Sequence, residues 1–165
     1  MSTFKRQADK NTVDRIAQAF AQSRLGGFLF VTVFPALDRR LMPLTGGRLR
    51  MTGSVSSLIL HVRGAKSGMP RAIPLVYTPR DEDLILIASK AGAPHHPAWY
   101  YNLKANPDVE VEIGKRRLAM HARELTGSER EACWALANEQ YNGYDTYQQR
   151  AGERVIPVVL LEPRR

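Results

Sequence analysis

Apolar and polar positions follow two different rhythms along this chain, and the change falls near residue 50. Within 12–24, Val13, Ile16, Ala17 and Phe20 recur at helical spacing; within 34–44, Phe34, Leu37, Leu41 and Leu44 repeat every three or four residues beside Arg39 and Arg40. Both segments are expected as amphipathic helices. Gly46, Gly47 and Gly53 in "LTGGRLRMTGS" (44–54) then interrupt that periodicity. From Ser57 the pattern is strand-like, in "SLILHVR" (57–63), "RAIPLVYT" (71–78), "DLILIAS" (83–89), "DVEVEI" (108–113), "RRLAMHAREL" (116–125) and "IPVVLLE" (156–162). Alternation of Val109, Val111 and Ile113 with Asp108, Glu110 and Glu112 marks a strand with one buried face.

"PRDED" (79–83) and "GKRR" (114–117) read as hairpin turns, so the strands are expected to be antiparallel. Pro97 suits a helix start and Asn106-Pro107 its end, which predicts a short helix over 97–105. Thr126 with Glu129 three residues on is a capping-box signature before a longer helix over 127–141. The expected fold is mainly β with α: six antiparallel strands in a small closed or partly open barrel with flanking helices. An N-terminal helical segment, 1–53, precedes the barrel domain, 54–165, in one folding unit.

With 165 residues and 44% apolar content, the chain can fill one core but is short for two domains. The net charge of +8 is uneven: residues 1–50 hold nine Lys/Arg against three Asp/Glu, and 51–165 hold fifteen against thirteen. That N-terminal excess suits a polyanion, whether an anionic bilayer, nucleic acid or an acidic small molecule. Nucleic acid accounts for the charge but not for the motifs, because aromatic residues are not interleaved with a basic strand face. The apolar run from Phe28 to Leu37 is broken by Pro35 and stops at charged residues, short of a span. A signal peptide is a poor match. The single cysteine, Cys133, excludes a disulfide framework and suits a reducing cytoplasm.

Candidate chemistry collects in three places. "RGAKSGMPR" (63–71) sets Arg63, Lys66 and Arg71 around two glycines; Lys66 and Ser67 can donate to an anion, Gly68 leaves the backbone accessible, and Arg71 can hold two oxygens. A solvated hairpin tip is the alternative there. "ASKAGAPHHPAW" (88–99) combines Ser89, Lys90 and Gly92 in a second basic turn, or serves only as entry to the helix that follows. "YNGYDTYQQR" (141–150) spaces Tyr141, Tyr144 and Tyr147 by three residues, for packing or for stacking on a planar ring and donating a proton. His95 and His96 have no partner at metal-binding spacing, and His61 and His121 stand alone, so no metal is expected. Nucleophile-elbow, dinucleotide and P-loop patterns are absent.

Taken in order, K-S-G-x-P-R, A-S-K-x-G, H-P-A-W-x-x-N-L-x-A-N-P and Y-x-G-Y-x-x-Y across residues 58–163 resemble the deazaflavin-dependent nitroreductase family, whose members use reduced coenzyme F420. The resemblance implies a split β-barrel of the flavin-reductase type. It implies that Lys66, Ser67, Gly68 and Arg71, with Ser89, Lys90, Ala91 and Gly92, grip the phosphate and acidic tail of the cofactor. It implies that Pro74, Trp99 and Asn102 line or support that site, and that Tyr141, Tyr144 and Tyr147 cover the ring and border the substrate pocket.

Two positions depart from the family pattern. Ala65 stands where G-R-K-S-G has arginine, with Arg63 as the candidate substitute, and Ala91 stands where A-S-K-G-G has its first glycine. The implied reaction is hydride transfer to a small electron-poor acceptor such as a quinone, an activated alkene or a nitro compound. Tyr144 is the first candidate for the polar role beside the acceptor and Tyr147 the second. FMN as cofactor and a non-catalytic carrier of a flavin-like or lipid-like ligand are the rival readings. Peripheral membrane contact through residues 1–50 is a further expectation, and monomer and homodimer both stay open.

Overall fold

The computed structural model describes residues 56–164; the expected helices at 12–24 and 34–44 and the proposed membrane face lie outside the described residues. Along the chain run β1 (Ser57–Arg63), β2 (Pro70–Val76), β3 (Thr78–Arg80), β4 (Asp83–Ile87), α1 (Ala98–Ala105), β5 (Asp108–Ile113), β6 (Arg116–Glu124), α2 (Gly127–Gln140), α3 (Gly143–Ala151) and β7 (Val158–Pro163). The strands form one antiparallel sheet in the order β2-β1-β5-β6-β7-β4-β3.

The described sheet has seven strands where the sequence pattern suggests six, because "RAIPLVYT" changes partner partway. Val76 still pairs with Ser57 of β1, whereas Thr78 pairs with Ile85 of β4. The chain thus passes from one edge of the sheet to the other through Tyr77, whose N–H donates to Ser56 O (3.1 Å) and whose carbonyl accepts from Gln140 Nε2 (3.1 Å). Curling the sheet until its edges meet at Tyr77 makes a barrel that is joined at one corner and split elsewhere. Periodicity cannot register such a switch, since both halves of the segment are extended.

Two cores flank the sheet. Leu58, Leu60 and Val62 of β1, Val109 and Val111 of β5, and Leu84 and Leu86 of β4 enclose the first, closed by Trp99, Tyr100 and Leu103 of α1. Ile85 and Ile87 of β4 and Val158 and Leu160 of β7 face the second, under Cys133 and Ala137 of α2 and Tyr144, Tyr147 and Ala151 of α3. Strands β4 and β7 are therefore buried on both faces, which is why "LILI" and "VVLL" run without polar interruption. Strand β5 keeps one solvated face, as its alternation requires.

The capping box does not form: Thr126 is the N-cap of α2 but makes no side-chain cap bond. Glu129 turns instead to the sheet, accepting two hydrogen bonds from Arg123 (2.8 Å each) and one from Arg80 (3.1 Å). These bonds draw its carboxyl down to about 2. A carboxyl held below its unfolded value contributes stability that is complete above that value and is lost as pH falls through the folded one. Wild type is therefore expected to lose stability between about pH 4.5 and pH 2 more steeply than Glu129→Gln, read from urea midpoints along a pH series. Parallel acid limbs for the two proteins would exclude this role.

Candidate active site

Helix α1 carries the first basic loop at one end. Between β1 and β2, Gly64 N–H donates to Met69 O (2.9 Å) and Gly68 N–H to Gly64 O (2.8 Å), leaving Lys66, Ser67 and Arg71 exposed. Asn102, only 7% exposed, accepts from Ala65 N–H through Oδ1 (2.9 Å), and Asn106 Nδ2 donates to Arg63 O (3.3 Å). The i, i+4 asparagines of N-L-x-A-N thus hold the loop from one helix face. A methyl group at Gly64 would lie 2.5 Å from Ser67 Oγ and 3.3 Å from Arg71 Nε, so those two side chains fold over the root of the loop.

Register separates the cations that the sequence groups together. Arg71 pairs with buried Val62, whereas Arg63 pairs with Pro70 on the opposite face, where Pro74 also lies opposite Ile59. Residue 65 belongs to the turn, so strand alternation does not carry from 63 to 65. Arg63 instead braces the loop, Nη1 donating to Gly68 O (3.3 Å). Beside this root lies a groove of about 810 Å³, whose lining includes Arg63, Arg71, Asn106, Asp108 and Arg164. Trp99 is buried in the barrel core and supports α1 from below.

The second basic turn sits at the other end of α1. Lys90, Ala91 and Gly92 are all left-handed (φ 48°, 54° and 76°), a conformation that disfavours the first two. Arg154 holds the turn from behind, Nη2 donating to Ser89 O (2.8 Å) and Nη1 to Ala88 O (3.4 Å) and His96 Nδ1 (3.0 Å). Gly92 packs on α3 so closely that a Cβ there would lie 2.7 Å from Tyr147 O and from Arg150 Cβ. Neither Arg154 nor His96 stood out as a holding group in the sequence, because no short motif joins residues 58 positions apart.

Three tyrosines adjoin that turn. Tyr141 caps the end of α2, and Tyr144 and Tyr147 lie on α3, with ring centroids 5.2–6.3 Å apart. The Tyr141 and Tyr147 hydroxyls share a hydrogen bond of 2.8 Å. Gly143 leaves room for the Tyr141 ring, which any side chain there would overlap. Tyr144 is 6% exposed and Tyr147 fully buried in the second core, and this desolvation pushes both phenols up. Burial likewise raises Tyr141. All three stay protonated at neutral pH and act as neutral hydrogen-bonding groups. Asp145 faces α2, accepting from Trp134 Nε1 (2.8 Å) and Asn138 Nδ2 (3.1 Å), which explains a polar residue between the tyrosines.

The basic loop is tied to one end of α1, the second basic turn adjoins its other end, and that turn packs through Gly92 against α3, which carries Tyr144 and Tyr147. Cationic turns at both ends of one helix suit an elongated anionic ligand. Residues 34–163 match the family described as F420H(2)-dependent quinone reductase. An F420H(2)-dependent quinone reductase of Mycobacterium tuberculosis is 41% identical over 125 residues, covering 73% of this chain and 83% of that protein. The solved structure of an F420-H2 dependent reductase is 44% identical, with TM-score 0.60, covering 65% of this chain and 94% of that one. A second solved structure, described as a domain-swapped dimer, is 38% identical with TM-score 0.61, covering 77% of this chain and 96% of that one.

The chain belongs to the F420H(2)-dependent quinone reductase family. It is a deazaflavin-dependent oxidoreductase that uses reduced coenzyme F420 to reduce a small-molecule acceptor. The donor set fits that cofactor: exposed Lys66, Arg71 and Lys90 offer fixed charge to a phosphate and an acidic tail. Among the described residues, no helix is long and apolar enough to cross a membrane.

Proposed function

We propose that this protein reduces a quinone, with the cofactor held along α1 between the loop at 64–69 and the turn at 89–92. Supporting this reading is the tethering of both basic turns to one helix, through Asn102 and Asn106 at one end and His96 with Arg154 at the other. Lys66, Ser67 and Arg71 bind phosphate and tail oxygens, joined by Ser89, Lys90, Ala91 and Gly92 of the second turn. When bound, reduced F420 supplies the hydride. Tyr144, then Tyr147, orients the acceptor carbonyl and hydrogen-bonds to the oxygen on which charge develops. The packed tyrosines and α3 exclude water from that side.

F420 binding, followed by the fluorescence of the cofactor, tests the site. Each of Lys66→Ala, Arg71→Ala and Lys90→Ala is expected to weaken binding by about tenfold, the loss of one charge-assisted hydrogen bond. Affinities within about twofold of wild type for all three would reject it. Turnover with a soluble quinone, an activated alkene and a nitroarene compares the acceptors, and the quinone is expected to give the highest kcat/KM.

The surplus charge at residues 1–50 supports a second element, contact with an anionic bilayer from which a lipid quinone is drawn. Full-length protein is expected to sediment with anionic liposomes at about 0.1 M salt, and Arg39→Glu/Arg40→Glu to stay in solution. Equal sedimentation of the two would remove this element.

A further inference from the structure

We propose that Arg154 and His96 are a positioning pair that fixes the turn at 89–92, left-handed at Lys90, Ala91 and Gly92, so that cofactor affinity drops when His96 takes up a proton. The inference rests on the reading that this turn contacts F420. Arg154 lies between α3 and β7, half-buried, and no carboxylate pairs with it among the described residues. Its three acceptors are neutral, the carbonyls of Ala88 and Ser89 and the imidazole nitrogen of His96, while Nε is buried with no partner.

A half-buried guanidinium without a counter-ion is a poor stabilising device. What it does accomplish is geometric. Ser89 O and Ala88 O belong to the backbone that enters the turn, and Ala88 N–H is tied to Pro157 O (2.9 Å), three residues from Arg154. Lys90 and Ala91 hold left-handed backbones that persist only where the surroundings over-determine them. Gly92 against α3 fixes the far end of the turn, and Arg154 fixes the near end.

His96 completes the clamp by accepting from Arg154 Nη1, which requires an unprotonated Nδ1. Around it stand Arg154, the rings of Tyr100 and Tyr101 at 4.9 and 5.9 Å, Lys104 from α1 and Glu124 from β6. Burial, then the charge of Arg154, holds its pKa below the ordinary 6.5 against the opposing pull of Glu124. At neutral pH the ring is therefore neutral and the clamp closed. As pH falls through the depressed pKa of His96, the acceptor is lost and a second cation faces Arg154.

The test is the F420 dissociation constant of the full-length protein between about pH 5 and pH 8, with melting temperatures alongside. Arg154→Lys, which cannot span three acceptors, is expected to bind about tenfold more weakly at pH 7.5. His96→Asn places an amide oxygen near Nδ1, so it is expected to restore near-wild-type affinity at pH 7.5 and a shallower acid limb. Titration of the cofactor itself is common to both proteins, so the difference between their profiles reports His96. An Arg154→Lys protein with a lower melting temperature but unchanged affinity has only a structural arginine and overturns the proposal, as do superimposable pH profiles for wild type and His96→Asn. If Lys90→Ala also leaves affinity unchanged, the placement of the cofactor fails as well; if Lys90→Ala weakens binding, only the clamp fails.

Discussion

Gly92→Ala lowers the unfolding free energy by about 2–4 kcal/mol and weakens F420 binding by about tenfold or more. Two causes add. Gly92 has φ +76°, a region an alanine occupies only under strain, and a Cβ there would lie 2.7 Å from the backbone oxygen of Tyr147. That oxygen belongs to α3, so relief requires the turn and the helix to separate. Separation moves Lys90 and Ser89 relative to the tyrosines, which is why affinity falls together with stability. Gly114→Ala is the control: it has φ +61° in the β5–β6 hairpin with nothing within 4 Å of an added Cβ. It should cost only the conformational penalty of about 1 kcal/mol, with cofactor binding intact. Denaturant unfolding and F420 titration of both variants decide the matter; equal losses would mean that close approach to α3 has no part in the site.

Asn102→Ala is expected to cost about 1–3 kcal/mol and to weaken F420 binding by about tenfold. Its Oδ1 is the buried acceptor for Ala65 N–H, the amide preceding Lys66. Without it, the loop keeps its internal bonds from Gly64 and Gly68 but only the longer Asn106 bond to Arg63 O still ties it to the end of α1. The substitution touches no charge, so any loss of affinity reports the placement of the loop. If Asn102 acts through Lys66, the double variant Lys66→Ala/Asn102→Ala loses less than the sum of the singles. Strict additivity would assign Asn102 a purely structural role. Asn106, whose amide bonds are longer at 3.3 and 3.4 Å, should matter less.

Much of the fold was legible because its cause is local. Alternation in "DVEVEI" gave a half-solvated strand, and Gly114 and Lys115 between Ile113 and Arg116 gave its hairpin. Pro97 and Asn106-Pro107 bounded α1, observed as Ala98–Ala105. The split of "RAIPLVYT" was not legible, since Tyr77 is extended on either side of a change of partner. The capping box was misleading for a related reason: its glutamate found Arg123 and Arg80 on the sheet, a pairing only tertiary proximity offers.

The site shows the same division. Residue type and short-range order fix the two basic, glycine-bearing turns and the tyrosine triplet, because a cation, a flexible backbone and a phenol are properties of the chain itself. Pairing register decided that Arg63 and Arg71 face opposite ways, since one residue of offset in a strand reverses a side chain. Packing of α1 decided which turn each end of the helix holds. Arg154 reaches back 65 residues to Ser89 and 58 to His96, and Gly92 meets α3 from a turn some 55 positions earlier than Tyr147. The sequence determined which groups are available; only the curled sheet and the helices packed on it brought them together, because hydrogen bonds and close packing act over a few ångströms in space however far apart their residues lie along the chain.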